Sequence, residues 1–226
     1  LKTIAVRFVN FITNKAAYDR FFKSLRYALY VIVHPFDGFW DLTHEKRGSM
    51  AAANFILILS LLTCVFRLEF TTFQFIKVNY ERINFFMEMM SILLPFLIFV
   101  VTNWALTTLF DGKGTLKDVY IASAYAMTPY PLIVIPNTIL SNLLTEEEDT
   151  FNYFFHDFSI IWSALLFISA IMMVHAYSFG KTMICLIFTI IGMAVVIFLL
   201  LLFFSLISDS VAYFYSLYKE LIFRLY

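Results

Sequence analysis

Residues Met183 to Ile207 read MICLIFTIIGMAVVIFLLLLFFSLI, twenty-five in succession without a Lys, Arg, Asp or Glu. An α-helix needs roughly 20 predominantly apolar residues to cross the hydrocarbon of a bilayer, so this stretch predicts a membrane span. Four more stretches meet the same test: Ser49–Phe66, Ser91–Phe110, Val119–Ser141 and Phe158–Tyr177. None of the five carries Lys, Arg, Asp or Glu, and His175 is the one residue in them that titrates near neutral pH. The first is short and the last long, which predicts tilt or extension beyond the bilayer.

The composition agrees. Of 226 residues, 62% are hydrophobic and 14% charged, against about a half and a quarter in a soluble domain. Lys plus Arg and Asp plus Glu both number 16. That balance speaks against a nucleic-acid partner and against a disordered acidic tail. The expected fold class is all-α: a polytopic membrane protein of five transmembrane helices with amphipathic interfacial helices at both termini. The first 48 residues lack the basic start, short apolar run and cleavage site of a removable signal peptide. Cys64 and Cys185 lie within apolar runs, and neither has metal-ligand spacing; they read as inert buried thiols.

Lys and Arg in the connections set the expected orientation. Eleven fall on the side of the N-terminus, counting Lys113, Lys117 and Lys181, and five on the other. The N-terminus is therefore expected in the cytoplasm and the C-terminus outside, in a bacterial plasma membrane. Residues 1–48 form the cytoplasmic segment, 49–208 the membrane domain and 209–226 the C-terminal helix. In the first, Tyr18, Phe21, Phe22, Leu25, Leu29 and Ile32 make a helical apolar stripe, with Asp19, Arg20, Lys23 and Arg26 between them. Two readings stand: a helix in the headgroup layer with its basic face toward anionic lipid, or one seated on the end of the bundle. Phe214, Leu217, Leu221, Ile222 and Leu225 repeat the stripe at the other terminus, where the last span can continue unbroken.

Between the first stripe and the first span lies His34-Pro35-Phe36-Asp37-Gly38-Phe39-Trp40-Asp41-Leu42, followed by His44-Glu45-Lys46-Arg47-Gly48. Phe36, Phe39 and Trp40 have i, i+3, i+4 spacing, and Trp favours the membrane interface. No two His are spaced for zinc, so an interfacial elbow explains the segment. A partner surface, if this segment makes one, would use Phe36, Asp37, Phe39, Trp40 and Asp41. Here the sequence resembles the bacterial branch of the Yip-domain family. Further stretches agree in order: Thr102-Asn103-Trp104, Asp111-Gly112-Lys113-Gly114-Thr115, Thr128-Pro129-Tyr130-Pro131, Ser141-Asn142 with Thr145 to Glu148, and Glu220 with Phe223-Arg224. The resemblance covers roughly residues 34 to 226. It implies five membrane helices with a cytoplasmic N-terminus. Eukaryotic members are adaptors of vesicle traffic that engage prenylated small GTPases, but no residue here carries that partner across.

Other segments invite chemistry. Pro129, Pro131 and Pro136 each remove a helical N–H and displace the carbonyl four residues earlier, those of Tyr125, Met127 and Leu132. The third span should kink, and freed carbonyls are what transporters use for midplane ion sites. Asn103, Pro129, Pro131, Asn137 and His175 are the candidate lining of a polar cavity. The alternative is structural: asparagines, Asn54 included, that join helices by hydrogen bonds and a neutral His175 near the headgroups. Thr145 and Glu148 predict a capping box, which accounts for the acidic run to Asp149 without a cation site. Phosphate-loop, nucleophile-elbow, zinc-protease and dinucleotide motifs are missing. The expected function is a non-enzymatic membrane adaptor or accessory subunit. It would need no cofactor or metal, and its partners would be the lipid bilayer and other membrane protein subunits, a transporter complex among them. The alternative is a small permease or ion-coupled transporter built on the broken third span.

Overall fold

The computed structural model describes residues 15–72 and 84–225. Lys2, Arg7, Lys77 and Arg82 of the charge count lie outside the described residues. Eight α-helices follow in order: α1 Lys15–Val33, α2 Pro35–His44, α3 Met50–Phe70, α4 Phe85–Leu109, α5 Leu116–Ala126, α6 Pro129–Ser141, α7 Asp149–His175 and α8 Phe179–Leu225. No strand occurs among the described residues. Counting α5 and α6 as one, five helical stretches are long and apolar enough to cross a membrane. The fold is an all-α, polytopic membrane fold.

Capping residues set the helix starts, and for α4 and α5 they move them outward from the apolar runs. Ser49 opens α3 by accepting the Ala52 N–H at 3.1 Å. Asn84 opens α4 six residues before Ser91, its side-chain oxygen accepting from Phe86 and Met87. A capping box between Thr115 and Asp118 opens α5 three residues before Val119. The α4 and α7 helices thus take in Glu88, Asp149 and Asp157 near their ends, where charge reaches the headgroups. The expected Thr145–Glu148 box forms by half: the Glu148 carboxylate accepts from the Thr145 N–H and hydroxyl, within a 3₁₀ turn ahead of α7. α8 passes residue 208 without a break; its 47 residues make a rod about 70 Å long.

The third span breaks at Met127–Thr128, between α5 and α6. Pro95, by contrast, lies inside the continuous α4. Buried residues concentrate in the third span and α7. In their most apolar stretches 61% and 50% of residues are buried, against 17% for α4 and 11% for α8. Ala122, Ser123, Ala124 and Ala126 of α5 are buried, as are Ser163, Ser169 and Ala170 of α7 and Ala52 and Ala53 of α3. Small side chains let backbones approach where lipid offers no hydrophobic drive to helix association. α7 packs on α2, α5 and α6, while α4 pairs with α8 at the periphery.

α1 rests on α2, α3 and α5. Its fully covered line is Ser24, Ala28 and Val31, not the large apolar stripe; Tyr18, Phe22 and Leu29 stay exposed. Val31 meets the elbow where a Cβ on Gly38 would come within 3.0 Å of the Val31 Cα, while Phe21, Leu25 and Ile32 pack half-buried along the edge of that line.

Candidate functional site

The segment from His34 to Ser49 folds into a hairpin-like elbow between α1 and the first span. Pro35 begins α2 at a position where its missing N–H costs nothing. Of the five residues expected to form a partner surface, Phe39 is a correction: it is completely buried in the core. Phe36 and Trp40 are exposed, Trp40 stacking on His44 with ring centroids 3.7 Å apart. Asp37 is exposed. Asp41 turns inward to Arg47 at 3.2 Å. Phe36, Phe39 and Trp40 share one helix face, and Phe39, at the edge of that face, is the ring that meets the core.

Behind the elbow lies a cleft of about 530 Å³ between α1 and the chain entering α3. Arg20 and Lys23 border it from α1, and Lys46 and Arg47 from the elbow. Lys46 adopts a left-handed backbone (φ 51°), uncommon for a residue with a Cβ. Gly48 follows because a Cβ there would meet Ile121 and Leu42 at 2.9 Å. Glu45 is the carboxylate on the rim, and it pairs with Arg47 at 2.5 Å. Tyr27 closes the floor, its hydroxyl donating to the Gly38 carbonyl at 3.2 Å. Burial, then the negative Asp41, pushes the Tyr27 phenol up to about 12, so it stays a protonated donor.

One residue unites the cleft with the membrane bundle. Tyr125, with no exposed surface, sends its hydroxyl to Ser24 Oγ at 2.6 Å and to the Ser24 carbonyl at 3.1 Å. Ser24 Oγ in turn donates to the Arg47 carbonyl at 3.1 Å. The last residue but one before the proline break thus holds α1 and the elbow together. Its position inside an apolar run already marks Tyr125 as one of the polar side chains within the spans, but nothing local in the sequence names Ser24, 101 residues away, as its partner.

The candidate polar cavity does not assemble as one. Asn137 donates to Asn152 Oδ1 at 2.8 Å, joining α6 to α7. Asn103 donates to Thr189 Oγ1 at 3.1 Å, joining α4 to α8. Asn54 accepts from the Tyr120 hydroxyl at 2.7 Å, joining α3 to α5. His175 lies at the far end of α7, twenty-three residues or about 35 Å along the helix from Asn152. Pro131 faces an apolar groove with Phe22, Leu25 and Phe55, and Pro129 is buried at the start of α6. The carbonyls threatened by Pro129 and Pro131 are taken up locally. That of Tyr125 accepts from the Thr128 N–H and hydroxyl at 3.1 and 2.6 Å, and that of Met127 from the Tyr130 N–H at 3.1 Å.

His175 is a clasp. Its Nδ1 accepts the Gly114 N–H at 3.3 Å, which leaves the proton of the neutral ring on Nε2. A Cβ on Gly112 would fall 2.7 Å from Nδ1, and one on Gly114 would fall 2.3 Å from Val174 Cγ1. The Asp111–Thr115 stretch is therefore a lid over the α7 terminus, which Tyr177 completes by donating to the Phe110 carbonyl at 2.9 Å. At the opposite end of the bundle Asn142 donates to the Phe70 carbonyl at 2.9 Å. Among the described residues no group of three His, Cys, Asp or Glu side chains could hold a metal ion.

Comparison with known families adds one match. The model of a family described as the Yip1 domain covers residues 29–204. No curated protein and no solved structure matches the chain.

Proposed function

The chain belongs to the Yip1-domain family, and from that premise we propose that it is a non-enzymatic membrane adaptor or accessory subunit. The observation that carries this reading is the end of α8. Every described residue from Ile197 to Phe223 is exposed, including Tyr213, Tyr218 and Phe223 at 64%, 63% and 86%. A bilayer about 30 Å thick covers less than half of a rod about 70 Å long. The portion after Ile207 projects about 27 Å further and keeps its apolar side chains. Large exposed apolar surfaces mark interaction sites. The elbow supplies a second such surface through Phe36 and Trp40.

The adaptor sits in a bacterial plasma membrane with α1 and the elbow on the cytoplasmic face, where the excess of Lys and Arg lies. Its partners are other membrane protein subunits, those of a transporter complex included. The permease reading rests on the proline break with Asn103, Asn137 and His175; the carbonyls of Tyr125 and Met127 have partners within the turn, and the three side chains bond at separate helix contacts.

A photo-crosslinking residue at Tyr213 or Tyr218, used in native membranes, tests the proposal. A discrete adduct with a second kind of polypeptide is expected, and a residue placed at buried Ala122 should give none. Adducts with lipid alone, or only with another copy of this chain, would contradict it.

A further inference from the structure

We propose that the cleft between α1 and the elbow binds the phosphate of an anionic ligand, the headgroup of an acidic phospholipid in the leaflet that holds α1. Among the described residues four cationic side chains border one cavity, and Glu45 is the one carboxylate on its rim. Asp41 and Glu45 both engage Arg47, whereas Lys23 and Lys46 form no ion pair with any described residue. Two lysines facing one cleft in this way raise its positive potential, and a bound phosphate would offset their charge.

Three further features fit a phosphate at this place. The volume of about 530 Å³ lies within the range of small-ligand sites. Ser49 borders the cleft and caps α3, so the positive end of a membrane-spanning helix dipole adds to the field. Ser49 also marks the depth: it immediately precedes a span, and the boundary between span and water is where lipid phosphates lie. Basic clusters beside membrane helices attract acidic headgroups by about 1 kcal/mol per cation. The fixed turn at Lys46 and the Tyr125–Ser24 tether hold the two walls of the cleft in register, which distinguishes it from a diffuse basic surface.

The test uses the full chain, delipidated and offered equimolar phosphatidylcholine and phosphatidic acid, with retained lipid counted by native mass spectrometry. Wild type should retain phosphatidic acid about tenfold or more over phosphatidylcholine. The double variant Lys23→Ala with Lys46→Ala should lose that preference about tenfold. Lys23→Arg with Lys46→Arg, which keeps the charges, should retain it and guards against misfolding as the cause. Lys219→Ala, on the far end of α8, should behave as wild type. Glu45→Gln should strengthen retention by releasing Arg47. Inorganic phosphate supplies the second arm. If it displaces phosphatidic acid and raises the melting temperature of wild type but not of the double alanine variant, the site takes soluble phosphate and the headgroup assignment falls. Equal retention of both lipids with no effect of inorganic phosphate, or undiminished preference in the double alanine variant, overturns the proposal.

Discussion

The hydroxyl of Tyr125 lies 2.6 Å from that of Ser24, across 101 residues of sequence. It ties a helix outside the five spans to the last residue but one before the turn that breaks the third span. Through Ser24 and the Arg47 carbonyl the same bond fixes the entry into α3. The cleft, the elbow and the proline break are thus parts of one arrangement.

Removing that hydroxyl should loosen α1 without unfolding the bundle. Tyr125→Phe removes the hydroxyl that reaches Ser24 in a buried setting, at a cost of about 1 kcal/mol. Thermal melting should fall, and trypsin should cut at Lys23 or Arg26 faster than in wild type. Tyr213→Phe, at an exposed position, should change neither.

Two glycines make a matched pair. Gly114→Ala would press a Cβ to 2.3 Å from Val174 Cγ1 and should destabilise the protein by about 1–3 kcal/mol, as overpacking does. Gly180, in α8, has nothing within 4 Å of such a Cβ. Gly180→Ala should stabilise by about 0.5–1 kcal/mol, because alanine suits a helix better. Melting of both variants in the same detergent checks the sign.

Asn137→Ala and Asn103→Ala should each cost about 0.6 kcal/mol and no more than about 1.7, the range for hydrogen bonds between membrane helices. A double-mutant cycle of Asn137 with Asn152 measures the pair directly. A much larger loss would mean that these asparagines do more than join helices.

The Tyr27 phenol is raised in the folded protein from 10.0 to about 12. An acid whose folded value lies above its unfolded one favours folding fully below the unfolded value, and that contribution is lost as pH rises through the folded value. Protection of α1 from trypsin should therefore hold to about pH 10 and fall toward about pH 12. Tyr27→Phe should lack this step.

How much of this was legible in the sequence differs by element. Uninterrupted apolar runs announce the spans, because lipid forces every backbone group to be satisfied within the helix. Their ends were misplaced where a polar cap such as Asn84 or Thr115 lay several residues before the run. The apolar stripe of α1 marked only part of the buried face: Phe21, Leu25 and Ile32 pack on the core, but the fully hidden residues include the small Ser24 and Ala28, which hydrophobic periodicity does not weigh. Phe39 shows the same limit, since spacing groups it with Phe36 and Trp40 but cannot say which ring meets the core. The cleft joins Arg20 and Lys23 to Lys46 and Arg47 through a fold-back at Pro35, and no local pattern encodes that meeting. The stretches that carry the family resemblance serve the fold here. Asp111–Thr115 covers His175, Asn103 joins α4 to α8, and Ser141-Asn142 ties the ends of α3 and α6.

In the proposed topology the elbow and the Asp111–Thr115 lid lie on one side of the membrane and the Thr145 turn on the other. Cys64 and Cys185 are free thiols and can be replaced by alanine. Single cysteines at Lys46, Lys113 and Thr145 can then be treated in intact cells with a maleimide that does not cross membranes. Labelling of Thr145→Cys, with Lys46→Cys and Lys113→Cys reactive only after lysis, is the predicted result. Labelling of all three from one side would contradict the five-span fold.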